Sequence, residues 1–141
     1  ETLNPIANLA NIAALLAYAL PQINWCGFYL MDHGALTLGP FCGLPACTRI
    51  QPGHGVCGTA VQKDRVLRIA NVHDFPGHIA CDSASQSEIV LPIRHQGRVI
   101  GVLDIDSPTL ARFDETDERY LSELVIQIQK ACSFNRASYT L

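Results

Sequence analysis

The stretch EIVLPIRHQGRVIGVLDID, residues 88–106, decides the fold because its pattern predicts two neighbouring strands of one antiparallel sheet. Residues 88–94 and 98–106 each alternate in the two-residue period of a strand. A short polar segment around Gly97 separates them, which is typical of a hairpin. Any architecture for this chain must therefore accommodate this hairpin.

The apolar residues of the hairpin predict its register. One face carries Ile89, Leu91 and Ile93 in the first strand and Val99, Leu103 and Ile105 in the second. Both sets reach the same side of the sheet only if odd-numbered residues pair with odd-numbered residues. We therefore expect a connection of three or five residues around Gly97, since a regular hairpin with a two-residue turn gives the other register.

This register gathers three acids, Glu88, Asp104 and Asp106, on the opposite face beside Ile100 and Val102. Acids on a strand commonly line a solvated face, and Asp106 also precedes a Ser-Pro turn. Three acids in one pocket would instead raise at least one pKa, which would supply a proton donor near neutrality and ligands for a cation. The pattern leaves both alternatives open.

The rest of the chain supplies the partners of this hairpin. Asn4-Pro5 starts a helix that Pro21 ends, and Asp114 caps a last helix whose buried stripe includes Leu121, Leu124, Val125 and Ile128. Between them we predict strands at 23–32, 35–42 and 66–72, a helix at 56–63, and loops at 43–55 and 73–87. On the first strand Trp25 and Tyr29 share one face, and Cys26 and Phe28 share the other. We expect one α+β domain over residues 1–141.

Composition narrows the function classes. The 141 residues carry a net charge of −3 without a basic run, which disfavours nucleic acid as a partner. The longest apolar run, Ile12 to Leu20, is too short to span a membrane, and no secretory signal is evident. Six cysteines are too few for a disulfide scaffold and favour a cytoplasmic, redox-active or metal-binding protein.

The cysteines separate by their surroundings. Cys26 and Cys132 fall among buried positions, and Cys42 is undecided. Cys47, Cys57 and Cys81 lie in or beside loops, where one thiol could act as a nucleophile and the others as resolving partners. The Asp82 beside Cys81 is unexpected, because a carboxylate opposes formation of the reactive thiolate.

A zinc site is the alternative use of these residues. Cys42 and Cys47 have the same spacing as His73 and His78, and both spacings occur in zinc ligand pairs. A whole helix and strand separate the two pairs, and no C-x-x-C occurs. We therefore expect no metal site, and we expect the histidines to be loop or surface residues.

Three segments together resemble the free methionine-(R)-sulfoxide reductases, a family built on the GAF domain. They are ACTRIQPGHGVCGTAV (46–61), VHDFPGHIACDSASQSEIVLPI (72–93) and GVLDIDS (101–107). The resemblance implies a six-stranded antiparallel sheet flanked by helices, with the ligand enclosed beneath the loops. It also implies a homodimeric enzyme without a cofactor that reduces free methionine-R-sulfoxide and is recycled by thioredoxin.

The resemblance also implies roles for individual residues. Cys81 matches the nucleophile, Cys47 the cysteine that forms a disulfide with it, and Cys57 a further cysteine that takes part in resolution in some members. The acids of the substrate pocket match Glu88, Asp104 and Asp106, and its aromatic wall matches Trp25 and Tyr29. The competing hypothesis is a non-catalytic GAF module that senses redox state or a small molecule.

Overall fold

The computed structural model describes residues 4–134, which form three helices and six strands. The helices are α1 (Pro5–Ala19), α2 (Gly55–Lys63) and α3 (Glu115–Ala131). The strands are β1 (Trp25–Asp32), β2 (Ala35–Cys42), β3 (Arg49–Ile50), β4 (Leu67–Ile69), β5 (Ser87–His95) and β6 (Arg98–Ser107). All strand pairs are antiparallel in the order β3-β2-β1-β6-β5-β4, so the expected α+β fold with a six-stranded antiparallel sheet is confirmed.

The sheet carries a hydrophobic cluster on each face. On one face α1 packs against β1 and β2 and α3 packs against β5, around Phe28 and Leu103. On the other face α2 and the adjacent loops cover a second cluster that contains Trp25, Tyr29 and Val102. The predicted faces of β1 are thus confirmed, and the second cluster forms one wall of the pocket described below.

The two long helices begin where the sequence predicts. The side chain of Asn4 accepts hydrogen bonds from the backbone N–H groups of residues 6 and 7, which caps α1 ahead of its first-turn proline. Asp114 and Asp117 form a reciprocal capping box at the start of α3. The apolar stripe of α3 buries Leu121, Val125 and Ile128 against the sheet. Neither these helices nor α2 has the length and apolarity needed to cross a membrane, which holds for all of residues 4–134.

The hairpin has the predicted register but a different connection. Ile89 pairs with Ile105 and Leu91 with Leu103, as the apolar pattern requires. The turn, however, contains only two residues, Gln96 and Gly97, both at positive φ. A register shift after residue 93 inserts one extra residue into β6, and this bulge restores the odd-to-odd pairing.

Because of the bulge, Ile100 lies on a different face of the sheet from the one predicted. The alternation of β6 predicts that this side chain lies beside Val102 and the acids, but it packs against the cluster on the opposite face. Two further boundaries differ from the prediction. The loop 43–55 contains the short strand β3, and the strand predicted at 66–72 ends at Ile69 and is followed by a 3₁₀ turn at Val72–Asp74.

Candidate active site

A pocket opens between the sheet, α2 and the loops that connect β2 to α2 and β4 to β5. It contains about 520 Å³ of unfilled space, part of which is open to solvent. Seven of the eight residues predicted for the site line this pocket: Trp25, Tyr29, Cys57, Cys81, Glu88, Asp104 and Asp106. The eighth, Cys47, lies next to the lining residue Ala46 and is bonded to Cys81. The fold therefore brings together residues that span more than half of the sequence.

Three acids meet at the base of the pocket because β5 and β6 are neighbours in the sheet. Glu88 pairs directly with Asp106, and Asp104 lies opposite Val90. Glu88 and Asp104 are each only 6% exposed, and one carboxylate oxygen of Asp104, Oδ1, is buried without a hydrogen-bond partner. The solvated-face alternative is therefore wrong for these two acids, which are buried at the base of the pocket.

Burial and mutual repulsion set the protonation of this cluster. Burial raises the pKa of Asp104 to about 6. Burial, followed by the charges of Asp104 and Asp106, raises the pKa of Glu88 well above its ordinary value. The pKa of Asp106 is raised by burial and then by the charges of Asp104 and Asp82. Since three crowded carboxyl groups cannot all ionise together, the pocket keeps at least one proton near neutrality.

Cys81 and Cys47 form a disulfide between the two loops that border the pocket. Their Cα atoms lie 5.7 Å apart, within the usual range for a disulfide, although 34 positions separate them in sequence. Both residues are partly exposed. The sulfur of Cys81 thus lies where a pocket ligand and a second thiol can both reach it.

Cys57 differs from the other two cysteines of the site. Cys57 lies in the first turn of α2, within the helix that the sequence predicts, but it is only 4% exposed and not the accessible thiol expected beside a loop. Its Sγ donates a weak hydrogen bond to Oε1 of Glu88 at 3.9 Å. Burial, together with the charges of Asp104 and Glu88, raises the pKa of the thiol. The thiol of Cys57 therefore holds its proton at the base of the pocket.

The remaining cysteines lie outside the pocket lining. Cys26 and Cys132 are buried, as their positions predict. Cys42 is a partly buried free thiol on β2, directly opposite Cys26 on β1.

The carboxylate of Asp82 anchors the loop that carries Cys81. Its Oδ2 accepts a hydrogen bond from Nδ2 of Asn24 at 2.9 Å, and its Oδ1 accepts one from the backbone N–H of Ala84 at 2.8 Å. The same Asn24 amide lies 3.0 Å from Oγ of Ser85. Sequence analysis missed Asn24 and Ser85. The only local signal was the Asp-Ser-Ala-Ser run, whose first residue is typical of an Asx turn.

The aromatic wall is held in place from both ends. The indole of Trp25 stacks on the rings of Tyr29 and Phe41, and its Nε1 donates a hydrogen bond to the carbonyl of Leu44 at 3.1 Å. The hydroxyl of Tyr29 donates to the carbonyl of Cys47 at 3.0 Å. The wall therefore fixes the backbone of the loop that carries one half of the disulfide.

The zinc ligands considered from the sequence, the pairs at 42/47 and 73/78, do not form a group of ligand atoms among residues 4–134. Within these described residues, the one group of at least three closely spaced His, Cys, Asp or Glu ligand atoms consists of Cys57, Glu88 and Asp104. His33, His54 and His78 lie in turns or loops as expected, whereas His73 lies in the 3₁₀ turn and His95 is the last residue of β5. His54 and His78 also line the pocket. Burial, and then the neighbouring His73, lowers the pKa of His78.

The chain is similar in sequence to several known proteins. The sequence model of the GAF domain matches residues 4–132. Protein YtsP of Bacillus subtilis is 60% identical over 128 residues, which cover 89% of this chain and 78% of that protein. The free methionine-R-sulfoxide reductase of Escherichia coli is 56% identical over 125 residues, which cover 89% of this chain and 76% of that protein.

A solved structure extends the likeness to three dimensions. The free methionine-R-sulfoxide reductase of Neisseria meningitidis, solved in complex with its substrate, superimposes with a TM-score of 0.90 at 50% identity. The match covers 93% of this chain and 79% of the other. The chain therefore belongs to the GAF-domain family of free methionine-(R)-sulfoxide reductases.

Proposed function

We propose that the protein reduces free L-methionine-(R)-sulfoxide to L-methionine, with Cys81 as the nucleophile. One observation carries the proposal: Cys81 lies in the pocket, opposite a buried acid cluster, and is already paired with a second cysteine. The pocket thus combines a thiol, a proton donor and a resolving thiol, which are the three groups that sulfoxide reduction needs. The similarity to reductases of this specificity supports the choice of substrate.

Each part of a free amino-acid sulfoxide has a matching group in the pocket. The ammonium group pairs with the carboxylates of the cluster, and the S-methyl group packs against the indole of Trp25. The sulfoxide oxygen accepts a hydrogen bond from a protonated carboxyl, for which Glu88 is our choice because the charges of Asp104 and Asp106 both raise its pKa. We assign the α-carboxylate to backbone N–H groups of the loops at 46–58 and 79–87.

The reaction then proceeds in two steps. The Cys81 thiolate attacks the sulfoxide sulfur while an acid protonates the oxygen, and the oxygen leaves sulfur for Cys81 to give methionine and a Cys81 sulfenic acid. The thiol of Cys47 attacks the sulfenic sulfur, which forms the disulfide and releases water. Sulfur in the substrate is reduced by two electrons, and the two cysteine thiols are oxidised by two.

Reduction of the disulfide completes the cycle. We propose thioredoxin as the reductant, since it transfers two electrons through thiol–disulfide exchange and both cysteines are partly exposed. This recycling requires a reducing compartment, and we therefore assign the protein to the cytoplasm. We propose that Cys57 exchanges with the Cys47–Cys81 disulfide only after its surroundings open, because its thiol is buried.

The assembly is also part of the proposal. We propose that residues 1–141 form a single GAF domain and that two copies form a homodimer. The outer face of α1 offers an apolar surface for this contact, since Leu15 is 64% exposed and Tyr18 is 91% exposed. Light scattering after size-exclusion chromatography measures the mass directly, and a monomer at all concentrations would contradict the dimer.

An epimer-resolved turnover assay tests the activity. The protein is supplied with free methionine-R-sulfoxide or its S epimer, with thioredoxin, thioredoxin reductase and NADPH as the recycling system. We expect methionine from the R epimer alone, at one NADPH per methionine. Binding of the sulfoxide without turnover would overturn the enzymatic proposal and favour the sensor alternative.

A further inference from the structure

Three donor atoms meet at the base of the pocket, and one of them, the sulfur of Cys57, has no part in the two steps of the proposed reaction. The Sγ of Cys57 and a carboxylate oxygen from each of Glu88 and Asp104 lie within 4.8 Å of one another. All three residues are buried. They come from α2, β5 and β6, which pack against one another and hold the donors on a rigid frame.

The hydrogen bonding of this group is incomplete. Asp104 is 6% exposed and lines the pocket. Its carboxyl group has hydrogen bonds with Glu88 and Cys57, yet the oxygen Oδ1 itself has no hydrogen-bond partner. The contact between Cys57 and Glu88 is a long sulfur hydrogen bond of 3.9 Å. A buried carboxylate oxygen without a partner is costly, and a bound cation removes that cost.

The donor types select the cation. One thiolate with two carboxylates suits Zn²⁺, which accepts sulfur and oxygen ligands in tetrahedral sites. Mg²⁺ and Ca²⁺ prefer oxygen ligands alone, and Mg²⁺ demands six of them in an octahedron. The open side of the group faces the pocket, where a water molecule would complete the tetrahedron.

We infer that Cys57, Glu88 and Asp104 form an inhibitory Zn²⁺ site that competes with the ammonium group of the substrate. Binding transfers the Cys57 proton, and any proton held by the two carboxyl groups, to solvent. The ion then occupies the carboxylates that would pair with the substrate and withdraws Cys57 from thiol exchange. The metal site itself stands on geometry alone, while the competition rests on the proposed function.

The test measures metal binding in the oxidised protein. The Cys47–Cys81 disulfide then removes both of those cysteines as ligands, while Cys57 is free. Zn²⁺ is titrated against a chromophoric chelator, and one ion per chain is expected. Cys57→Ser and Asp104→Asn are each expected to weaken binding by at least about tenfold, since loss even of a supporting contact costs that much. Cd²⁺ should displace Zn²⁺, and excess Mg²⁺ should not.

Two matched control variants test whether Zn²⁺ binds at a different place in the protein. Cys42→Ser removes a free thiol outside the pocket lining, and His73→Asn removes one member of the pair of adjacent imidazoles at 73 and 78. Neither substitution should change the affinity. Circular dichroism verifies the fold of each variant, and Glu88→Gln replaces either ligand variant if it does not fold.

The outcomes separate this inference from the proposed function. Equal affinity in the folded ligand variants, or loss of binding in either control, would overturn the metal site whether or not the enzyme is active. A Zn²⁺ site that depends on Cys57 in a protein without reductase activity would support the site and refute the function. In the active reduced enzyme, Zn²⁺ should raise the apparent KM for the sulfoxide, and an unchanged KM with a lowered kcat would refute competition.

Discussion

Replacement of Asp104 by asparagine is expected to stabilise the protein while it weakens the activity. Asp104 is buried at the base of the pocket, and burial raises the pKa of its carboxyl from 3.8 to about 6. A carboxyl that ionises less readily in the folded state opposes folding at any pH above both pKa values. The difference corresponds to about 3 kcal/mol at pH 7, at about 1.4 kcal/mol for each pKa unit.

Because Asp104 loses its proton at a higher pH in the folded state, its effect on the free energy of unfolding depends on pH. Between about pH 4 and pH 6 the folded state holds the Asp104 proton and the unfolded state has lost it, so the stability of the wild type falls as pH rises through this window. Asparagine carries no proton to lose. The variant should therefore match the wild type near pH 3.5, and at pH 7 its free energy of unfolding should be higher by up to about 3 kcal/mol.

Urea unfolding at the two pH values measures the difference. With a slope of about 1–3 kcal/mol per molar urea for a domain of this size, the midpoint of the variant should rise by roughly 1–3 M at pH 7. The Cys47–Cys81 disulfide is kept intact in both proteins. Asp74→Asn, an exposed position in the 3₁₀ turn, is the control and should change stability by less than about 0.5 kcal/mol. A midpoint that does not rise at pH 7, or that rises equally at pH 3.5, would refute the reasoning.

Three further predictions concern the pocket. Cys81→Ser should abolish sulfoxide reduction. With thioredoxin present, Cys47→Ser should release one methionine per chain and then stop. Repeated turnover by the Cys81 variant would contradict its assignment as the nucleophile. Glu88→Gln and Asp106→Asn should each lower kcat/KM about a hundredfold, because both remove a carboxyl that lines the pocket and that the proposal places beside the substrate. Near-wild-type rates would remove these acids from the mechanism. Tyr29→Phe removes the hydrogen bond to the Cys47 carbonyl and should lower the free energy of unfolding by about 1 kcal/mol, so an unchanged thermal midpoint would show that this bond contributes nothing.

The hairpin illustrates how far a sequence pattern determines structure. The pairing of Ile89 with Ile105 follows from the burial of one apolar face, because a slip of one residue would expose that whole face. The bulge beside Ile93 cannot be predicted from the apolar pattern. A two-residue turn with a bulge and a three-residue connection give the same register, so the pattern does not distinguish them. The position of Ile100 depends on that local choice and was therefore mispredicted.

Sequence-based prediction has the same limit in the candidate site, where the contacts join segments that are far apart in the chain. Periodicity alone assigned Glu88 and Asp104 to one strand face, but it could not decide whether solvent or α2 covers that face. The burial of Cys57 likewise depends on how closely α2 approaches the sheet. Such contacts between distant segments have no counterpart in local sequence.

The disulfide between Cys47 and Cys81 has a kinetic consequence. In the proposed cycle, the sulfur of Cys81 receives oxygen from the sulfoxide and is later released from the disulfide by the reductant, so the enzyme cannot react with both substrates at once. Methionine must leave a chain before thioredoxin regenerates it, which is a ping-pong scheme. Double-reciprocal plots of initial rate against sulfoxide concentration, each at a fixed thioredoxin concentration, should therefore give parallel lines. Excess sulfoxide should make the oxidised enzyme accumulate, and excess thioredoxin should make the reduced enzyme accumulate.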